Sequence, residues 1–360
     1  MPNDTKTVTE ETEEKPQRFN LTLAAAGDNL FHETIINSYK QDGVYDFSPI
    51  YTEIKSIISN SDIAFINQEN VMAGESFGYS GYPTFNTPQS LAGTIADTGF
   101  DIVNLANNHA MDMGRAGLYA TLDLLGRMEN MTIIGARKSG PNHRFVIMNN
   151  IKLGFLSYTY GLNGFTLPAG EPDLVSLINR ERMSHEIKIL RPLCDFLVVS
   201  MHWGEEYMLE AGAAQISLAE FLAGHNVDLI IGHHPHVLQP VATLDRPDGK
   251  KTLCFYSLGN FVSNQREKER ILGGIMLVTF TKEGDELSIS NSGLIPVVCH
   301  FEQGYTNTKV YPLYSYSQEL LEKHALRRMD SGLNYNFFKS ILLNMGTKMI
   351  MYNPFSEQAD

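Results

Sequence analysis

Short apolar runs that each end in a burst of polar residues recur along the chain and set its organisation. Phe19–Ala26 (FNLTLAAA) closes on Gly27-Asp28, Ile63–Ile66 on Asn67-Gln68-Glu69-Asn70, and Asp101–Leu105 on Asn107-Asn108-His109. Phe196–Ser200 closes on His202-Trp203-Gly204, and Val227–Ile231 on Gly232-His233-His234-Pro235-His236. Between them lie segments with helical character: Pro49–Ser59, Pro88–Thr98, Arg115–Glu129, Leu174–Leu190 and Ala213–Ala223. Strands alternating with helices predict βαβ units and a largely parallel sheet.

From about Val237 the pattern changes. Leu253–Tyr256, Gly274–Thr279 and Leu287–Ser290 read as strands joined by short turns, one of them Lys282-Glu283-Gly284-Asp285. That predicts a mixed or antiparallel sheet packed against the first. Residues 316–350 predict two amphipathic helices separated near Asp330-Ser331-Gly332. Residues 1–18 have no apolar run and are rich in Thr, Glu and Lys, the composition of a solvated tether. The expected organisation is therefore a tether over 1–18, one core domain over 19–310 and a helical extension over 311–360. No stretch approaches the roughly 20 apolar residues of a membrane span, and the start lacks a signal-peptide core. A cytoplasmic protein with a frayed start and an exported one whose leader is missing from the sequence both stay open.

Composition narrows the partners. Hydrophobic residues make up 43% of the 360 and charged residues 19%, enough apolar material for a substantial core. A net charge of −13 disfavours nucleic acid and anionic membranes, which both want a basic face. A polyanionic ligand would need a locally cationic site, which bound metal could supply. Cys194, Cys254 and Cys299 are sparse and show no CxxC spacing, so neither a disulfide framework nor a zinc ribbon is indicated.

The polar bursts all fall at the C-terminal ends of predicted strands, the edge where open α/β sheets bind ligands. Together they offer Asp28, Glu69, Asn108, His202, His234 and His236, the oxygen and imidazole donors suited to zinc, manganese or iron. Two metals about 3.5–4 Å apart can activate a water and clamp the atom it attacks. Taken singly the residues are weak signals, since an Asp at a strand end is more often a cap or turn residue and a lone buried His is usually a satisfied core residue. Three histidines in four positions beside Pro235 are the hardest to assign to packing. His32, four residues after Asp28, either reaches the same metal or faces solvent on a first helical turn. Asn260, in Gly259-Asn260 at a strand end, is either part of the site wall or a turn residue.

With these residues in view, the sequence resembles the CapA family of bacterial capsule synthesis, or poly-γ-glutamate biosynthesis, proteins. The matching runs are Gly27–Leu30, Asn67–Glu69, Asn104–Asp112 (NLANNHAMD), His202–Tyr207, Gly232–Gln239 and Tyr256–Val262. That family is related to the calcineurin-like metallophosphoesterases. The resemblance implies a four-layer α/β/β/α sandwich with mixed sheets and a C-terminal helical tail. It implies that Asp28 and His236 hold a first divalent ion, that Asn108, His202 and His234 hold a second, and that Glu69 bridges both. His109 is similar to the histidine that stabilises the transition state or protonates the leaving group, and Trp203 and Glu205 would line the cavity. Leu30 stands where phosphoesterases place a second ligand to the first ion, and His32 is the nearby substitute. The implied activity is a metal-dependent hydrolase acting on a phosphoester or on an amide such as that of poly-γ-glutamate, in an extracytoplasmic, membrane-tethered setting. The competing reading is a non-catalytic, polymer- or partner-binding component of a synthesis and export complex.

Overall fold

A computed structural model describes residues 16–350. Nearly all of the expected tether, and residues 351–360 of the expected extension, lie outside that range. In chain order the strands are β1 (Arg18–Asn29), the short pair β2 (Lys40–Gln41) and β3 (Val44–Tyr45), β4 (Ile63–Gln68), β5 (Ile102–Asn104), β6 (Thr132–Ile134), β7 (Arg144–Met148), β8 (Ile151–Thr159), β9 (Phe196–His202), β10 (Leu229–His233), β11 (Leu238–Asp245), β12 (Lys251–Leu258), β13 (Asn260–Val262), β14 (Leu272–Glu283), β15 (Glu286–Glu302) and β16 (Thr306–Pro312). One sheet has the order β16-β15-β14-β1-β4-β5-β6, with β13 also pairing β1. It is parallel from β1 to β6 and antiparallel from β1 to β16. The other has the order β11-β12-β10-β9-β8-β7, parallel in the middle and antiparallel at both edges.

Side chains alternate across a strand, so each sheet feeds two cores. In β1, Leu21, Leu23 and Ala25 face the other sheet and join Phe155, Val198 and Ile231 there. Ala24 and Ala26 face outward, into a core shared with the helices Glu33–Ser38, Ser90–Thr98 and Gly114–Leu125. In β9, Phe196 and Val198 point inward, while Leu197, Val199 and Met201 pack against Met183 and Ile187 of helix Arg180–Leu190 and Leu222 of helix Ala213–Ala223. The result is the expected α/β/β/α order with mixed sheets.

Three predicted elements differ. Helix Arg180–Leu190 starts six residues later than its pattern suggested, because Asn179 caps it by accepting the Arg182 N–H. Ahead of it, Val175 and Leu177 make isolated bridges to Ala136 and Thr159. The segment after Pro49 is split into Ser48–Tyr51 and Lys55–Ser59. The C-terminal segment holds three short helices, Gln318–Lys323, Ala325–Met329 and Tyr335–Leu342. The extra break is at His324, whose Nδ1 accepts the Leu326 N–H and whose Nε2 donates to the Cys299 carbonyl.

His324 packs edge-on against His300, with ring centroids 5.2 Å apart. Burial pushes the His300 imidazole down to about 4, helped by Lys309 and Lys323. Burial, then the neighbouring His300, pushes His324 down to about 3. Both are neutral in the folded chain, so their contribution to stability is present above the unfolded value of 6.5 and is lost as pH falls from there towards 4. The expected outcome is that wild type loses more stability between pH 7 and pH 5 than a His300→Gln variant does, by on the order of 2 kcal/mol for the one imidazole removed. Equal losses in the two proteins would contradict it.

Candidate metal centre

Parallel strands of both sheets end at one edge of the sandwich. Asp28 lies near the end of β1, Glu69 one residue past β4, and Asn108 in the loop after β5. His202 ends β9, and His234 and His236 follow β10. Three donors thus ride on each sheet. Two glycines let these ends sit close to their neighbours. A Cβ on Gly27 would lie 2.0 Å from the Gly259 carbonyl oxygen, and one on Gly232 1.9 Å from that of Tyr256.

The six side chains converge. Donor atoms of Asp28, Glu69 and His236 all lie within 4.8 Å of one another, as do those of Glu69, His202 and His234. The two sets share Glu69. His202 Nε2 is 2.8 Å from Asn108 Oδ1, close to the roughly 3 Å between neighbouring ligands that meet one cation at about 2.1 Å. The Glu69 carboxylate sits 3.6 Å from His202 Nε2 and 3.7 Å from His236 Nε2. Asp28 is held in place: Asn67 donates to its Oδ1 at 2.8 Å and the His234 N–H to its Oδ2 at 3.2 Å. Behind it, Asn104 donates to Asn67 and Ser157 donates to Asn104, at 2.8 and 2.6 Å. This buried chain crosses from β1, β4 and β5 to β8 in the opposite sheet.

The donor set fits a cation on electrostatic grounds. Both oxygens of Glu69 are buried and accept no hydrogen bond, and His234 Nδ1 has no partner. Groups left that way cost about 1–3 kcal/mol each unless something positive or hydrogen-bonding meets them. Burial pushes the Glu69 carboxyl well above its usual range, with Asp28 and Glu206 adding to the rise and His236 opposing it. Burial would also raise Asp28, but the imidazoles of His233 and His236, whose Nδ1 atoms lie 3.4 and 3.1 Å from its oxygens, outweigh it and hold the carboxyl well below its usual value. Burial holds His202 well below the normal imidazole range and His234 at about 4, so both present neutral nitrogens, the form that binds metal.

A cavity of about 510 Å3 opens beside the cluster. His109 stands on its wall, with Nδ1 2.8 Å from the Asp112 carboxylate, which also accepts the Phe85 N–H. The carboxylate fixes the ring, and Nε2 meets the amide of Asn163, another residue of the cavity wall, at 3.4 Å. Several contributors escaped the sequence reading. Asp112 is three residues past His109, a spacing that a helical or turn reading could have flagged. Glu206 joins His234 and His236 in a third group of close donors. His233 is buried between Phe65, on which it stacks, and Asp28, 3.4 Å from its Nδ1. The loop after β8 supplies Tyr160, 4.6 Å from the His234 ring, and Asn163, which accepts from Asn108 and contacts His109.

Four expected placements differ. Trp203 follows His202 on an extended strand, so it points the opposite way. It is buried in the outer core, donating its indole N–H to the Tyr256 carbonyl, and does not line the cavity. Gly204, with φ of 89°, turns the chain so that Glu206 rather than Glu205 reaches the wall. Asn260 is buried and fully engaged, its Oδ1 3.0 Å from His236 Nδ1 and its amide donating to Gln265 and Arg270. It orients a ligand and leaves nothing for substrate. His32 borders the cavity outside the close donor groups, and its Nδ1 accepts the Asn264 N–H at 3.3 Å. Leu30 is buried beside it and offers no donor.

Comparison with known proteins places these features in a lineage. Residues 22–265 match the family model described as bacterial capsule synthesis protein PGA_cap. The PGA biosynthesis protein CapA of Bacillus subtilis (strain 168) is 28% identical over 254 residues, covering 68% of this chain and 64% of that protein. The capsule biosynthesis protein CapA of Bacillus anthracis is 27% identical over 259 residues, 68% of this chain and 60% of that one. The chain therefore spans somewhat under two thirds of the length of these curated relatives. Among solved structures, the calcineurin-like phosphoesterase YfkN from Bacillus subtilis aligns at a TM-score of 0.47 and 14% identity, over 91% of this chain and all of that one.

Proposed function

Because this chain belongs to the PGA_cap family of bacterial capsule synthesis proteins, we propose that it is a metal-dependent hydrolase of capsule or poly-γ-glutamate metabolism, cleaving a phosphoester or an amide. The observation that carries this is Glu69, a fully buried carboxylate without a hydrogen bond at the junction of two donor groups. Asp28, Glu69 and His236 would hold one divalent ion, and Glu69, Asn108, His202 and His234 a second. Manganese, zinc and iron all suit this mix of oxygen and imidazole donors. When bound, such ions polarise the scissile group and make water nucleophilic at neutral pH.

The chain's own groups do the rest. Asn260 accepts from His236 Nδ1 and turns Nε2 toward Glu69. Asn67 fixes the Asp28 carboxylate. His109, steadied by Asp112, donates a proton from Nε2 to the departing oxygen or nitrogen. A pure binding component would have no use for that imidazole–carboxylate pair, which favours the hydrolase over the scaffold reading. Elemental analysis of the purified chain, followed by assay on an aryl phosphodiester and on poly-γ-glutamate, tests the proposal. Protein that takes up no metal and is inert on both substrates would overturn it.

The ligand assignment makes a paired prediction. His234→Ala should lower bound metal by at least about tenfold and activity with it. His185→Ala, on the exposed face of helix Arg180–Leu190, should change neither. Equal effects would mean that the site lies elsewhere.

A further inference from the structure

Past His32 the cavity runs into a second hollow of about 370 Å3, with His32, Tyr82 and Gln265 forming the common wall. One segment presents two arginines to it, each laid over a tyrosine ring. The Arg266 guanidinium lies 4.6 Å from the centre of Tyr305, and that of Arg270 3.3 Å from the centre of Tyr207. Arg270 also pairs with Glu267 at 2.7 Å. No carboxylate of the described residues lies within ion-pair distance of Arg266, which is exposed.

Both tyrosines are held against their backbone preference, with φ of 70° at Tyr207 and 60° at Tyr305. Among the described residues, four that are neither Gly, Asn nor Asp have positive φ: Tyr207, His234, His236 and Tyr305. Tyr207 and His236 line the cavity, Tyr305 lines the hollow, and His234 belongs to the donor cluster beside them. Such conformations cost about 1–3 kcal/mol each and gather where a ligand is gripped. An arginine stacked on a ring is pre-oriented and weakly hydrated, the form in which it grips a carboxylate or phosphate with two parallel hydrogen bonds. In a chain of net charge −13, an unneutralised guanidinium beside the proposed centre stands out from its surroundings.

We propose that Arg266, carried on Tyr305 and flanked by Arg270 on Tyr207, binds an anionic group of the substrate set apart from the bond that the metal cluster receives. The ligand is then an extended polyanion, and the hollow is a subsite for its next carboxylate or phosphate. This rests on the hydrolase reading for which end of the cleft reacts, but the binding itself does not require turnover. Glu33 and Glu267 share the wall, so the hollow is not uniformly cationic and its grip depends on guanidinium geometry rather than on bulk charge.

The test titrates the full chain, with and without Mn2+, with a short oligo-γ-glutamate and with a linear polyphosphate of matched charge. Arg266→Gln should weaken binding of one of the two by about fivefold or more. Arg266→Lys should restore only part of that, and neither variant should change metal content or hydrolysis of a small aryl phosphodiester. Loss confined to the oligoglutamate assigns the subsite to carboxylates, and loss confined to polyphosphate assigns it to phosphates. Wild-type protein that binds neither polymer, or an Arg266→Gln variant that binds both as tightly as wild type, would overturn the proposal. A chain that hydrolyses nothing yet loses polyanion affinity in the variant would sink the hydrolase reading and leave the subsite standing.

Discussion

Replacing Glu69 with Gln should empty the proposed centre and make the metal-free chain more stable at the same time. The two effects share one cause. Glu69 is the only residue common to the donor group of Asp28 and His236 and that of His202 and His234. Its loss should therefore remove several kcal/mol of cation binding, which activity would register as a fall of about 10^3-fold or more. Without a cation, however, the Glu69 carboxyl is buried with no hydrogen bond. Burial raises its pKa well above the ordinary carboxyl value, so the folded chain holds a proton that the unfolded chain releases. Stability is then lost as pH rises above about 4.5, and the neutral amide escapes that loss. Chelated Glu69→Gln protein should melt higher than chelated wild type by on the order of 1 kcal/mol at pH 7, with the gap closing toward pH 4. Calorimetry in excess chelator gives the comparison directly. A variant that melts lower at pH 7 would mean that Glu69 has a partner in the apoprotein.

The second large effect belongs to His109. His109→Gln should lower kcat by about 10^2- to 10^4-fold while leaving bound metal unchanged, because the imidazole lies beside the cluster without joining its donor groups. Asp112→Asn should give a smaller loss of the same kind, since the amide can still accept the Phe85 N–H but holds the His109 ring less firmly. Metal analysis and steady-state kinetics on the same preparations separate this from ligand loss. If His109→Gln lost metal in proportion to activity, the proton-donor role would fall.

Much of the fold was legible because the strands that build the site are sharply punctuated. β4, β5, β9 and β10 are short, apolar and buried, and each breaks directly into polar residues, so both the parallel units and their reactive edge could be read. The strands that were overlooked lack that contrast. β16 mixes Thr, Asn and Lys with its buried residues, and β15 runs on past the expected Leu287–Ser290 into a buried half that the polar Asn291-Ser292-Gly293 break had masked. The hairpin of β7 and β8 hides behind Gly154 and Ser157, although Asn149 and Asn150, with φ of 50° and 58°, mark its turn.

At the site, residue type was a better guide than direction. The donors announced themselves through chemistry, whereas Trp203 and Glu205, expected at the cavity from the family resemblance, are turned away by the alternation of an extended strand and the twist at Gly204. No spacing rule could reveal that the backbone of His234 meets Asp28 from 206 positions away. Nor could it reveal the loop of Tyr160 and Asn163, which touches the cluster from a connection without a motif of its own.

The even division of donors has a mechanical consequence. Asp28, Glu69 and Asn108 belong to one half of the sandwich and the three imidazoles to the other, with the Asn67-Asn104-Ser157 strut as their polar tie. Any slippage between the halves pulls every cation-binding distance out of register together. A bound ion would act as a rivet through the seam, so that capturing it and seating the two halves become a single event.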